Sequence, residues 1–125
     1  MKNSVLLLDD DADLIAAMSE LISMQSNRHA LTARSVAELE ALGDKVHACD
    51  IAFLDVNLGA NRPSGIVAAK WLREQGFKGK MYFFTGHAGN HPLVIQASSV
   101  SGVEIIHKPV DIKFLFDLLH GAKRD

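Results

Sequence analysis

The chain has 125 residues, 48% of them hydrophobic and 22% charged, with a formal net charge of −2. That length holds one hydrophobic core and excludes two. The apolar content excludes a disordered chain, and the scattered basic residues exclude the electrostatic footprint of a nucleic-acid binder. Apolar runs of only a few residues exclude a bilayer span, which needs roughly 20, and the single cysteine excludes an internal disulfide.

Ser4 to Leu8 reads as a buried strand that runs straight into Asp9, Asp10 and Asp11. A helix follows from Ala12 to about Gln25, with Leu14, Ile15, Met18, Leu21 and Ile22 at helical spacing, Asp11 as N-cap and Asp13 in the first turn. His29 to Ala33 alternates and is more polar, as an edge strand does. Ser35 caps a short helix carrying Val36, Leu39 and Leu42 that ends near Gly43. Cys49 reads as a small buried apolar residue, in keeping with a reducing, cytoplasmic setting.

Asp50 to Asn57 is the stretch around which the rest is organised. Ile51 to Leu54 has no polar face, the pattern of a strand covered on both sides, and it delivers Asp55 to the strand end. Gly59 to Gly65 is a loop by composition, followed by a helix to about Gln75 with Ile66, Ala69 and Leu72 inward and Trp71 at its margin. Met81 to Phe84 is the next buried strand and ends in Thr85. Pro92 to Val100 is a further helix, and Val103 to Ile106 a last strand before His107, Lys108 and Pro109. Asp111 to His120 closes the chain as an amphipathic helix through Ile112, Leu115, Phe116 and Leu119.

Five strands alternating with five helices predict an α/β domain, an open parallel sheet wound on both faces. In such sheets the site lies beyond the carboxyl ends of the strands, where strand order reverses. Reading off those ends selects Asp9, Asp10 and Asp11, then Asp55, Thr85 and Lys108. Carboxylates crowded at one edge repel one another, so one has a raised pKa unless a cation sits among them. All-oxygen ligands suit Mg²⁺ or Mn²⁺, and a metal, a hydroxyl and a lysine around a carboxylate suit phosphoryl transfer to aspartate.

With these residues in place, the chain resembles the receiver domains of two-component response regulators from roughly Ser4 to Leu119, as a single domain over residues 1–125. Asp9 and Asp10 resemble the family's acidic pair, Asp55 its phosphoacceptor, Thr85 its switch hydroxyl and Lys108, followed by Pro109, its phosphate-binding lysine. The resemblance implies a five-stranded sheet of order 2-1-3-4-5 and a cis Lys108-Pro109 bond. It also implies a Mg²⁺ site made by Asp10, Asp55 and the carbonyl of Asn57, with Asp9 acting through water. Its implied partners are a sensor histidine kinase or histidine phosphotransfer protein upstream and an unidentified protein downstream, with no nucleic acid or membrane contact and a monomer or weak homodimer. The start at Met1 fits a stand-alone receiver or an amino-terminal domain. Two departures stand out: Gly59 replaces the family's usual proline, with Gly65 about two residues late, and Ile105 replaces an aromatic switch residue. Activation is therefore expected to run through Thr85 and the loop from His87 to His91.

Rival readings remain. A haloacid-dehalogenase-type phosphatase also uses a nucleophilic aspartate, a hydroxyl, a lysine and an acidic pair. There, however, the nucleophile is on the first strand, and its acid two residues on would be Asn57 here. A degenerate receiver that only binds partners is the other. Asp9, Asp11, Asp13 and Glu20 mimic a calcium loop, but Leu14 stands where that turn needs glycine. His87 and His91 have metal-ligand spacing, yet Gly89 and Pro92 break the helix that zinc would need.

Overall fold

Alternation along the central strands divides the core in two and thereby aims the acidic residues. The computed structural model describes residues 4–87, 89–109 and 111–121. In chain order the elements are β1 (Ser4–Leu8), α1 (Ala12–Gln25), β2 (His29–Ala33), α2 (Val36–Leu42), a 3₁₀ helix (Gly43–Ala48) and β3 (Cys49–Asp55). They continue with α3 (Gly65–Glu74), β4 (Lys80–Thr85), α4 (Pro92–Ser98), β5 (Val103–His107) and α5 (Ile112–Gly121). All strand pairs are parallel, in the order β2-β1-β3-β4-β5.

Val5, Leu7, Ile51, Phe53, Tyr82 and Phe84 pack with Met18 and Ile22 of α1 and Leu115 and Leu119 of α5. Their alternate neighbours Leu6, Leu8, Ala52, Leu54, Met81 and Phe83 pack with Leu39 of α2, Leu72 of α3 and Ala97 of α4. A strand buried on both faces in this way has no polar position until it ends. Asp9 and Asp55 continue the parity of Leu7 and Phe53, so both carboxylates leave the sheet on the α1 and α5 side. Leu8 is in register with Leu54, so one further residue on each strand brings Asp9 beside Asp55.

The caps follow the sequence. Asp11 accepts from the N–H groups of Asp13 and Leu14 at 3.0 and 3.1 Å. Ser35 accepts from Glu38 N–H, whose side chain accepts in turn from Arg34 N–H. Three expectations are adjusted. The 3₁₀ helix after Gly43, anchored by buried Val46, was not foreseen. α4 stops at Ser98 rather than Val100, because the Ser98 and Ser99 hydroxyls donate to the Ile95 and Gln96 carbonyls. α5 begins at Ile112, with the Asp111 carboxylate accepting from Lys113 N–H. Cys49 is buried, and burial first, then the charge of Asp50, pushes its thiol up to about 11, which makes it inert. Among the described residues no helix is long and apolar enough to cross a membrane.

Candidate acidic site at the carboxyl edge of the sheet

Three strand ends and the turn after β5 supply the site. Asp9, at 5% exposure, accepts from Lys108 Nζ at 2.9 Å and, through its other oxygen, from Asp11 N–H at 3.0 Å. Asp55, also at 5%, accepts from the same Nζ at 3.3 Å and from Asn57 N–H at 3.2 Å. Asp10 is exposed, yet a carboxylate oxygen from each of Asp9, Asp10 and Asp55 lies within 4.8 Å of the others. Lys108 is aimed by its own backbone, whose N–H donates to Thr85 C=O at 2.7 Å, and the Lys108-Pro109 peptide bond is cis. Thr85, at 1% exposure, accepts from His87 N–H at Oγ1, which leaves its own O–H to donate.

The charges here do not balance. Three carboxylates face one ammonium, a formal excess of −2 that a divalent cation would match. The imbalance favours the protonated form of one acid. Burial, and then the negative charge of Asp9, push Asp55 up to about 7, while Lys108 pulls the other way. Burial alone would lower Lys108, but its bond to Asp9 and the charges of Asp55 and Asp9 outweigh that and raise it. The donor set is all oxygen, with no imidazole or thiolate among it, so these residues fit a hard cation of the Mg²⁺ type.

The site opens into a cleft of about 300 Å³ between Asp10, Asp55, Asn57, Gly86, His87 and Lys108. Its floor depends on Gly65. A Cβ there would stand 2.2 Å from the Asp55 carbonyl oxygen, and Gly65 N–H donates to Val56 C=O at 2.9 Å, so α3 starts directly against the end of β3. The late glycine is thus the one that seats Asp55. The extra loop residues close in a turn, with Arg62 N–H donating to Gly59 C=O at 3.3 Å. Gly59, at φ 118°, accommodates the Arg62 stem, which would lie 3.1 Å from any Cβ at that position.

The sequence pointed to Asp9, Asp10, Asp55, Thr85 and Lys108, and the structure brings all of them together. It did not reveal the side-chain contacts of Asn57 and the two histidines. The Asn57 amide is fixed by Gly59 N–H donating to Oδ1 at 3.0 Å, which turns Nδ2 toward His87 Nε2, also at 3.0 Å. His87 stacks on His91 with ring centroids 4.0 Å apart, and His91 Nδ1 accepts from Leu93 N–H as the cap of α4. One nitrogen of each ring is thus engaged, His87 Nε2 with an amide and His91 Nδ1 with a helix end. No spacing rule in the sequence would have found this, because the Asn57 contact crosses between two strand ends.

The response regulator receiver domain profile matches residues 5–120, and the chain belongs to that family. It is similar to a CheY-like receiver domain from Methylobacillus flagellatus at 21% identity, covering 98% of this chain and 100% of that one, with a TM-score of 0.73. The NtrX receiver domain from Brucella abortus is similar at 22% identity over 94% of this chain and 96% of that one, with a TM-score of 0.76. The chemotaxis protein CheY4 of Vibrio cholerae is similar at 21% identity over 97% and 98%, with a TM-score of 0.74. No curated protein among those compared matches the chain. The chain is a receiver domain of two-component signalling, a signalling module, and the phosphatase reading is not favoured.

Proposed function

We propose that Asp55 accepts a phosphoryl group from a phosphohistidine on a sensor kinase or histidine phosphotransfer protein in the cytoplasm, within a single domain that spans residues 1–125. The observation that carries this is the sharing of Lys108 Nζ between Asp9 and Asp55 at the end of a buried strand. An Asp55 carboxylate oxygen attacks phosphorus, the P–N bond breaks, and its electron pair returns to the imidazole of the donor. Lys108 keeps its proton and moves its charge toward the phosphoryl oxygens. Thr85 donates its free O–H to another of them. Asp10, Asp55 and the Asn57 carbonyl, with Asp9 in support, would hold Mg²⁺ or Mn²⁺, which would supply positive charge to offset that of the transferred group.

Moving Thr85 Oγ1 toward the phosphoryl group lengthens the bond it accepts from the His87 N–H. His87 is stacked on the residue that caps α4, so α4 is the element whose first turn feels the change. Ile105 has no ring or hydroxyl to contribute, which supports this route for the output contacts of the module with its protein target. Treatment with a small phosphodonor and Mg²⁺ should add one phosphoryl mass. Labelling that survives Asp55→Ala or chelation would contradict the assignment, and labelling that never occurs would favour a receiver that only binds partners.

A further inference from the structure

The opposite edge of the sheet carries a second cavity, of about 220 Å³, where β3 and β4 begin and α5 ends. Among the described residues its charged lining is Arg28, Lys78 and Lys80 against Asp50, three cations to one carboxylate, in a chain whose net charge is −2. Asp50 is already committed to Arg28, which donates to it through Nη2 in a short ion pair. Arg28 is itself only 5% exposed, and among the described residues its buried Nε–H has no acceptor. A guanidinium spreads its charge over three nitrogens, so an anion in the cavity is attracted by the group as a whole. The remaining wall is apolar, formed by Ile51, Leu118 and Leu119.

A structural ion pair between Arg28 and Asp50 needs no further cations. Lys78 and Lys80, both exposed, place like charge beside an arginine whose carboxylate partner is already paired. We propose that this cavity is a binding site for a small amphipathic organic phosphate. Its dianionic head lies against Arg28, Lys78 and Lys80, matching their formal excess of two charges, and its hydrocarbon body lies on Ile51 and Leu118. This assignment is independent of phosphorylation at Asp55, which sits at the other end of β3.

The test is an NMR titration of the ¹⁵N-labelled protein in metal-free buffer with butyl phosphate, inorganic phosphate and butanol, following backbone amides and the Arg28 Nε–H signal. Butyl phosphate should give saturable shifts at Arg28, Gly79 and Lys80. It should bind at least about threefold tighter than inorganic phosphate, because its methylenes are buried. Butanol should give none. The double variant Lys78→Gln/Lys80→Gln, altered only at exposed positions, should weaken butyl phosphate by about tenfold. Shifts that rise without saturating, shifts confined to Asp9, Asp55 and Lys108, or a double variant that binds as well as the parent would overturn the proposal.

Discussion

The two edges of one sheet treat charge in opposite ways. At the amino edge the buried cation Arg28 has the partly buried Asp50 as its partner, and the charge left over sits on exposed Lys78 and Lys80. At the carboxyl edge three acids share one lysine, and Asp55 is driven toward the neutral form. Burial is similar, since Arg28, Asp9 and Asp55 are each about 5% exposed. Pairing is what differs. An unbalanced, buried acid cluster costs the fold stability and is kept where a cation and a phosphoryl group complete it, whereas a balanced pair holds strands in place.

Removing a buried charged group should therefore have opposite signs at the two edges. Arg28→Met leaves Asp50 without its partner and should destabilise the protein by about 3–5 kcal/mol in denaturant unfolding. Replacing both, as Arg28→Met/Asp50→Leu, should recover most of that loss, and a double variant no better than the single would break the comparison. At the other edge Gly65→Ala forces a methyl onto the Asp55 carbonyl and should cost about 1–3 kcal/mol while also lowering phosphoryl transfer.

Removing the acid itself should help. Asp55 has a folded pKa near 7 against 3.8 ordinarily, so between those values the folded chain binds more protons than the unfolded one. Its contribution is fully favourable below about pH 4 and is lost as pH rises through 7. Without metal, Asp55→Asn should thus stabilise the protein by about 0.5–2 kcal/mol at pH 8 and by little at pH 4. The smallest effect belongs to the loop after β4. His91→Ala removes the cap of α4 and should cost about 0.5–1 kcal/mol, with the loss in amide protection concentrated in Leu93 to Ala97.

How much of this was legible follows from the range of the interactions. The strands, the helix caps at Asp11 and Ser35 and the edge that collects Asp9, Asp55, Thr85 and Lys108 all follow from periodicity and chain order, which are local. The 3₁₀ helix after Gly43 left no such signal, because one buried Val46 sets no period. The Arg28 to Asp50 pair was hidden for another reason: it joins positions 22 residues apart across β1, and each residue alone reads as an ordinary surface charge. The Asn57 to His87 contact spans 30 residues in the same way. The late Gly65 was noticed as a departure, but only its approach to the Asp55 carbonyl explains why glycine is needed there.

The claim that the carboxyl edge is an acid cluster awaiting a cation is tested most directly by titrating the Asp55 side-chain carboxyl carbon by NMR, with and without Mg²⁺. Without the ion its midpoint should lie near pH 7, raised by burial and by Asp9. With saturating Mg²⁺ it should fall below about 5, because the ion favours the charged form and releases the proton. A midpoint near 4 in metal-free protein, unmoved by Mg²⁺, would contradict the account.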